Sequence, residues 1–555
     1  MEAYKSIISR IDSHGVSTVF TLMSEEIIEL VSAVETETGG ELDVVHARHE
    51  QGAAAMADGY ARASDEFGVC IVGRGPAIAQ TGTALNTARK KGSDVLYIVP
   101  TMAHGSTFDQ KEFAQESYLS DMVGDVTTIH AAENIPSILD DAFRRVRIDG
   151  PVAVQIPMDL LFEEIADPKE TEGKRDDSGG VYARDARVHP DERSLSEAVE
   201  LYLDSDATKP PVILAGEGAV KSEAKESILA LAEQTNALLA TTIQSRGYFS
   251  DHPFSVGLVG TLGSNVANEY IADADYLLSI GASLNEHTTD SGRLINDQAK
   301  VVHIDNDAAS INRYEPVDLG IRGDAQMTSE LLLAALQDEG IDRSGAFWTE
   351  QTEQRLSDGF PFGEIEESGQ NGRIDPRVLI EALDEQLPED RLVVTDAGHF
   401  ATWVVDGIDF GSVNDFIWTL DFTSIGLGLP MGVGAARAGD DRTCVAFCGD
   451  AGFMMSLQEL ETATRNDIPL IVVVMNDDSL GAEHRQAQKA GLSGEAARIS
   501  APDFEDVAAS LGAEGYTVRD RSDIAAIEDA LADGSKKQLV VDCKIDKDVT
   551  HRLYS

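Results

Sequence analysis

The stretch from Cys444 to Asp478 constrains the fold of this chain more than any other. Cys444 to Cys448 is a short apolar run ending on Gly449-Asp450-Ala451-Gly452. Met454, Leu457, Leu460 and Ala463 then recur at helical spacing until Pro469 stops them. Leu470 to Met475 is an unbroken apolar run, the pattern of a strand buried on both faces, and it ends on Asn476-Asp477-Asp478. Strand, turn, helix and strand in that order make a parallel unit with a right-handed crossover. It carries Asp450 and Asn476 to the carboxyl ends of two strands, where open α/β sheets bind ligands.

Both side chains are oxygen donors, and the intervening segment is long enough for a helical crossover, so they can meet on one hard cation. Magnesium keeps few protein ligands and fills its octahedron with phosphate oxygens and water. One carboxylate, one amide oxygen and one main-chain carbonyl therefore suit a metal-diphosphate. The backbone amides of Ala451 and Gly452 can receive the same anion. Taken singly, Gly-Asp and Asn-Asp are also ordinary turns at a sheet edge. Together they resemble the signature of thiamine diphosphate enzymes, Gly-Asp-Gly followed at a set distance by Asn-Asn. Ala451 replaces the third glycine and Asp477 the second asparagine, while Asp450 and Asn476 match. In that family the main-chain carbonyl two residues past the asparagine also holds the metal, here that of Asp478.

A second stretch runs His46-Ala-Arg-His-Glu50-Gln-Gly-Ala-Ala-Ala-Met-Ala-Asp-Gly59-Tyr-Ala-Arg62. The strand Asp43 to Ala47 feeds a helix that opens near Glu50, and Ala53, Ala54 and Ala57 give that helix a face for close packing. From position alone, Glu50 is an acid that complements a helix dipole. The stretch resembles the pyrimidine-binding segment of thiamine diphosphate enzymes of the acetolactate synthase type, in which the glutamate touches N1′ of the aminopyrimidine. Phe113-Ala114-Gln115-Glu116 is similar to the family's Ala-Phe-Gln-Glu, which makes Gln115 a candidate substrate contact; read without the family, it is a surface helix residue. Asp396-Ala-Gly398-His399-Phe400 is similar to the loop near the diphosphate. Asp421-Phe-Thr-Ser424-Ile425-Gly426-Leu-Gly428-Leu-Pro430 resembles the segment whose bulky apolar residue, here Ile425, wedges between the cofactor's rings. The resemblance thus implies Glu50 and Gln115 as catalytic residues. It implies Glu50, Gly398, His399, Phe400, Ser424, Ile425, Gly449, Asp450, Ala451, Gly452, Asn476, Asp478, Gly481 and Ala482 as cofactor-binding residues, with Asp450, Asn476 and Asp478 on the metal.

Departures from the pattern cluster where the family meets its substrate. Thr21-Leu22-Met23-Ser24 stands in place of a Gly-x-Pro-Gly turn, Arg74 and Pro76 are shifted against Ser-Gly-Pro-Gly, and Met158 replaces a lysine. Gly281-Ala282-Ser283 lacks the arginine of the flavin-containing members, which weighs against FAD.

The remaining chain predicts three doubly wound α/β domains with parallel sheets. Residues 1–165 form a pyrimidine-binding domain with strands at Gly15 to Phe20, Asp43 to Ala47, Gly68 to Val72, Val95 to Val99 and Val152 to Ile156. Residues 193–337 form a central Rossmann-like domain with strands from Pro211, Tyr276 and Val301. Residues 373–555 form the diphosphate-binding domain. Polar connectors run from about Glu163 to Glu192 and from Gly340 to Gly372.

Composition excludes several roles. The 97 acidic against 44 basic side chains give a net charge of −53, a field that repels nucleic acid. No apolar run is long enough to span a bilayer, the first residues lack the core of a signal peptide, and the four scattered cysteines suit a reducing cytoplasm. Acids spread over the whole chain point to a halophilic cytoplasm, where molar salt shortens the Debye length to roughly 3 Å. The expected function is magnesium- and thiamine diphosphate-dependent decarboxylation of a 2-oxo acid, pyruvate first, followed by carboligation. The alternatives are a plain 2-oxo acid decarboxylase or carbon-carbon lyase, and a non-catalytic thiamine diphosphate-binding homologue. The resemblance also implies a homodimer or homotetramer with active sites between subunits.

Overall fold

The computed structural model describes residues 1–166, 187–205, 208–341, 346–357, 372–439, 442–532 and 537–554. Contacts divide these residues between two compact units, one drawing on Met1–Arg184, Glu366–Val404 and Ile417–Ser555, the other on Asp185–Ile365 and Val405–Phe416.

Three six-stranded sheets carry the fold. The first holds β1 (Thr18–Leu22), β2 (Asp43–His46), β3 (Gly68–Val72), β4 (Val95–Thr101), β5 (Asp125–Thr128) and β6 (Val152–Pro157), ordered β2-β1-β3-β4-β6-β5 with parallel neighbours. The second holds β7 (Val212–Ala215), β8 (Leu238–Thr241), β9 (Ser255–Leu258), β10 (Tyr276–Ile280), β11 (Lys300–Asp305) and β12 (Leu319–Arg322), ordered β12-β11-β10-β7-β8-β9. The third holds β13 (Arg391–Thr395), β14 (Phe416–Trp418), β15 (Thr443–Gly449), β16 (Leu470–Asn476), β17 (Glu514–Val518) and β18 (Gln538–Lys544), ordered β14-β13-β15-β16-β18-β17. Helices join the parallel strands, as the expected α/β class requires.

The central strands are those that the apolar runs announce: β3 and β16 are buried at every position. The edge strands β5, β9, β12 and β14 were not anticipated. They are three or four residues long, β5, β9 and β12 are of mixed composition, and β5 is only half-buried throughout. The helical segment after Gly449 is broken rather than continuous. Asp450–Ser456 ends at Leu457, Gln458–Arg465 follows, and Met454, expected on the inner face, is 45% exposed while Phe453 is buried. The second connector contains a helix, Glu350–Ser357, with no buried residue. Most of the first connector lies outside the described residues. Among the described residues no helix is long and apolar enough to cross a membrane.

Within the first unit, the helix Glu50–Ala63 crosses the helix Gly428–Arg437, and one apolar core runs through Ala53, Ala57 and Tyr60 on one side and Leu429, Met431 and Val433 on the other.

Candidate active site

The register of the third sheet sets Gly449 at the end of β15 opposite Met475 on β16, so the next residues, Asp450 and Asn476, leave the sheet side by side. Asp450 opens its helix and is 3% exposed. Burial, and then the neighbouring Asp477 carboxylate, push its pKa up to about 8. Asn476 is fully buried, and its Nδ2 donates to Asp542 Oδ1 at 2.9 Å. That contact turns the amide oxygen the other way, where it accepts Asp478 N–H at 3.4 Å. Asp542 is also buried and accepts Phe504 N–H at 3.1 Å and Lys544 Nζ at 2.6 Å. It fixes the orientation of the Asn476 amide.

Asp478 takes a left-handed backbone, φ 55°, and its carboxylate pairs with Arg373 and accepts Ala501 N–H at 3.1 Å. Its main-chain carbonyl accepts Ile499 N–H at 3.0 Å, which leaves one lone pair. Asp477 accepts Ser479 Oγ at 2.7 Å and faces Arg485 Nη1 at 3.4 Å. Among the described residues no three His, Cys, Asp or Glu side chains converge on a point that could hold a metal. The donors gathered here are one carboxylate, one amide oxygen and one carbonyl. That set is too poor for zinc and suits a hard cation that brings its own phosphate and water oxygens.

Beside these donors lies a cleft of about 250 Å³, lined by Gly398, His399, Phe400, Ile425, Gly449, Asp450, Ala451, Gly452, Gly481 and Ala482 among others. Asp396, fully buried at the end of β13, accepts Gly426 N–H and Ala397 N–H, both at 2.8 Å, and so ties the glycine loop to the turn that presents Ile425. Burial pushes its carboxyl up to about 6. His399 Nε2 accepts His551 N–H at 3.1 Å, which leaves the ring proton on Nδ1. That Nδ1 is buried without a partner, and burial together with nearby Arg485 drives the ring's pKa down to about 2, so it stays neutral. An orphaned donor at the wall of a cleft fits an anionic oxygen. Tyr554 also lines the cleft, its ring edge-on to His399 at 4.9 Å, on a tail segment gripped by Arg485 through the Lys547 and Val549 carbonyls at 2.7 and 3.1 Å. No sequence pattern marked Tyr554 or Asp542, and Asp396 was read only as part of the glycine loop. Of the expected residues, Ser424 turns its hydroxyl onto the Ile425 carbonyl at 3.2 Å, and Asn476 and Asp478 stand behind the cleft rather than along its wall.

Glu50 and Gln115 do not line this cleft; every lining residue lies at Ala397 or beyond. Glu50 is the first residue of its helix, after His49, whose Nδ1 accepts Gln51 N–H at 3.1 Å. Its carboxylate accepts Gln80 Nε2 at 3.2 Å. The Gln115 amide is spent on the scaffold: its oxygen accepts Gly75 N–H at 3.0 Å, and its nitrogen donates to the Pro100 carbonyl at 3.0 Å and to Gln155 Oε1 at 2.9 Å. It props the turn after β3. The turns after β1, β3 and β4 also bring together two ion pairs that sequence reading did not foresee, Arg74 with Asp109 and Lys111 with Glu26.

Three family models match the chain: the thiamine pyrophosphate enzyme N-terminal TPP binding domain over residues 1–120, the central domain over 205–335 and the C-terminal TPP binding domain over 396–543. A Methanocaldococcus jannaschii protein named "Probable acetolactate synthase large subunit" is 30% identical over 92% of this chain and 86% of its own length. A sulfoacetaldehyde acetyltransferase of Alcaligenes xylosoxydans xylosoxydans is 29% identical over 92% of the chain and 87% of its own length. The acetolactate synthase large subunit of Haemophilus influenzae is 26% identical over 98% and 94%. The chain therefore belongs to the thiamine diphosphate-dependent enzymes, among the members that resemble acetolactate synthase large subunits.

Proposed function

We propose that this enzyme, with magnesium, decarboxylates a 2-oxo acid and joins the remaining fragment to a second carbonyl compound, with pyruvate as the first-choice donor. The observation that carries the reading is the pairing of Asp450 with an oriented Asn476 amide beside a cleft whose wall holds an orphaned His399 N–H. Likeness to the Methanocaldococcus and Haemophilus proteins supports the carboligating outcome.

Bound thiamine diphosphate would supply the thiazolium carbon that attacks the oxo group and stores the electron pair released with carbon dioxide. Asp450, Asn476 and the Asp478 carbonyl would hold magnesium, and the amides of Ala451 and Gly452 with His399 Nδ1–H would take phosphate oxygens. Ile425 would press between the rings, Gly398, Phe400, Gly481 and Ala482 would shape the surrounding wall, and Gln115 would act by propping the Gly75 turn. Glu50, through Oε2, would hold and return the proton of the aminopyrimidine ring. Because the chain's own cleft lacks Glu50, that acid would come from a second copy, which makes the active form a homodimer or a tetramer of such pairs. Ser283, where flavin-binding members have arginine, weighs against a flavin in the central domain.

A second reading, decarboxylation or carbon-carbon cleavage of another substrate, is favoured by Met158 in place of a lysine and by the two ion pairs beside Glu50's sheet edge. It gains further support from the sulfoacetaldehyde acetyltransferase relative. One assay separates them. Protein purified in high salt with magnesium and thiamine diphosphate is offered a panel of 2-oxo acids, and both carbon dioxide and condensed products are measured. Pyruvate giving acetolactate supports the first reading, release of carbon dioxide with aldehyde alone supports the second, and no turnover of any 2-oxo acid overturns the first reading and the decarboxylase form of the second.

A further inference from the structure

Glu459 has no solvent exposure, an uncommon state for a glutamate. It lies on the helix Gln458–Arg465 in the diphosphate-binding half, and its carboxyl is turned onto the start of the helix Glu50–Ala63 in the pyrimidine-binding half. Its two oxygens accept Arg48 N–H at 3.3 and 3.1 Å, and Thr462 Oγ1 donates to it at 2.7 Å. The fit is tight, for a Cβ on Gly52 would collide with Oε1. Arg48 and Gly52 stand two residues either side of Glu50. Two residues further along the same helix, Glu461 takes the Arg48 guanidinium, its two oxygens each 2.6 Å from a nitrogen. Two acids of one helix thus grip one residue, one by its side chain and the other by its backbone.

An apolar residue of similar size would fill the same space without the cost of burying a carboxyl. Only an acceptor can take the Arg48 amide. A second contact acts on Glu50 itself: Gln80, exposed at the end of the short helix Pro76–Ala79, donates Nε2–H to Glu50 Oε2 at 3.2 Å. We propose that Glu459 and Gln80 are positioning residues for Glu50, the first fixing the backbone from which it springs and the second fixing its carboxylate. The proposal rests on the reading of Glu50 as the acid that addresses the cofactor ring. Under it, the aim of that acid is set in part by the diphosphate-binding half of its own chain.

The test compares Glu459→Ala, Glu459→Gln, Gln80→Ala and Glu50→Gln in the full-length protein. One readout is amide hydrogen exchange at residues 48–52 in the cofactor-free protein; the other is kcat and KM of the loaded enzyme. Glu459→Ala should speed exchange at Arg48 by about 10-fold or more and lower kcat by about 10- to 100-fold, the scale of a misplaced catalytic group. Glu459→Gln, which keeps an acceptor, should stay within about 3-fold of the parent. Gln80→Ala changes an exposed side chain and should fold normally. It should lower kcat by about 10-fold with KM unchanged, because the carboxylate loses the contact that aims it. Parental exchange and kcat in Gln80→Ala and Glu459→Ala, alongside an inactive Glu50→Gln, would overturn the proposal alone. Normal turnover in Glu50→Gln would overturn the reading of Glu50 together with the proposal built on it.

Discussion

With no metal in the cleft, the Asp450 carboxyl holds its proton at neutral pH, since burial and the Asp477 carboxylate push its pKa up to about 8. A cation bound there has to displace that proton. The apparent affinity for magnesium should therefore rise as pH climbs from about 6 to about 8 and level off above, with close to one proton released per ion near pH 7. Calorimetric titration in buffers of different ionisation enthalpy reads that proton directly. Affinity flat across the window would remove Asp450 from the metal. The same sign governs stability without metal: the folded Asp450 and Asp396 keep protons at pH values where the unfolded chain has lost them, so ionising either costs stability as pH rises. Asp450 and Asn476 were legible because polar residues at the ends of apolar runs stand out in any sequence. Asp542 was not, because within Val-Val-Asp-Cys it reads as one polar position in a strand. Its task follows from the pairing of β18 with β16, which sets it within reach of the Asn476 amide. Glu459 reads as an exposed helix acid between Gln458 and Leu460, and only the crossing of two distant segments buries it.

The crossing of the helices Glu50–Ala63 and Gly428–Arg437 is made at backbone distance by a reciprocal pair of glycines. A Cβ on Gly59 would collide with the Met431 carbonyl, and one on Gly434 with the Met56 carbonyl. Neither obstacle is a flexible side chain that could swing aside, so Gly434→Ala must push the helices apart. We expect it to cost about 2 kcal/mol or more, the upper range for overpacking a close-packed core, and to lower the thermal midpoint in high salt by several degrees. An unchanged midpoint would mean that the two helices do not approach this closely. Sequence marked one side of this contact, since Ala53, Ala54 and Ala57 signal a face for close approach, but small residues do not name their partner. The same asymmetry runs through the sheets. Strands buried on both faces, such as β3, β15 and β16, declare themselves by composition. Edge strands such as β5 and β14 are defined by the neighbour they pair with, and a stretch of three or four residues carries no period long enough to read.

For the molecule as a whole, charge decides under which conditions these contacts persist. Even if each of the 44 basic side chains were paired with one acid, 53 of the 97 acids would have no cation. Several cations are already shared: Arg145 lies between Asp125 and Asp141, and Arg521 between Glu381 and Glu385. Added salt weakens exposed pairs such as those of Arg521, each worth about 0–1 kcal/mol, and at the same time quenches repulsion among the unpaired acids. With so large an excess of one sign, the second effect outweighs the first, so stability should rise with ionic strength. On the proposed reading two copies, each at −53, meet at the active site, and the same repulsion opposes their association, so assembly should fail before folding does. We expect the thermal midpoint to climb by about 10 °C or more between dilute buffer and molar potassium chloride, where the Debye length falls to roughly 3 Å. Sedimentation should show the assembled form only toward the high-salt end, with activity tracking it. Sucrose at matched osmolality is the control, because it stabilises compact states without screening charge. Equal gains in sucrose and salt, or a midpoint that falls as salt is added, would show that repulsion among the acids does not set the stability of this protein.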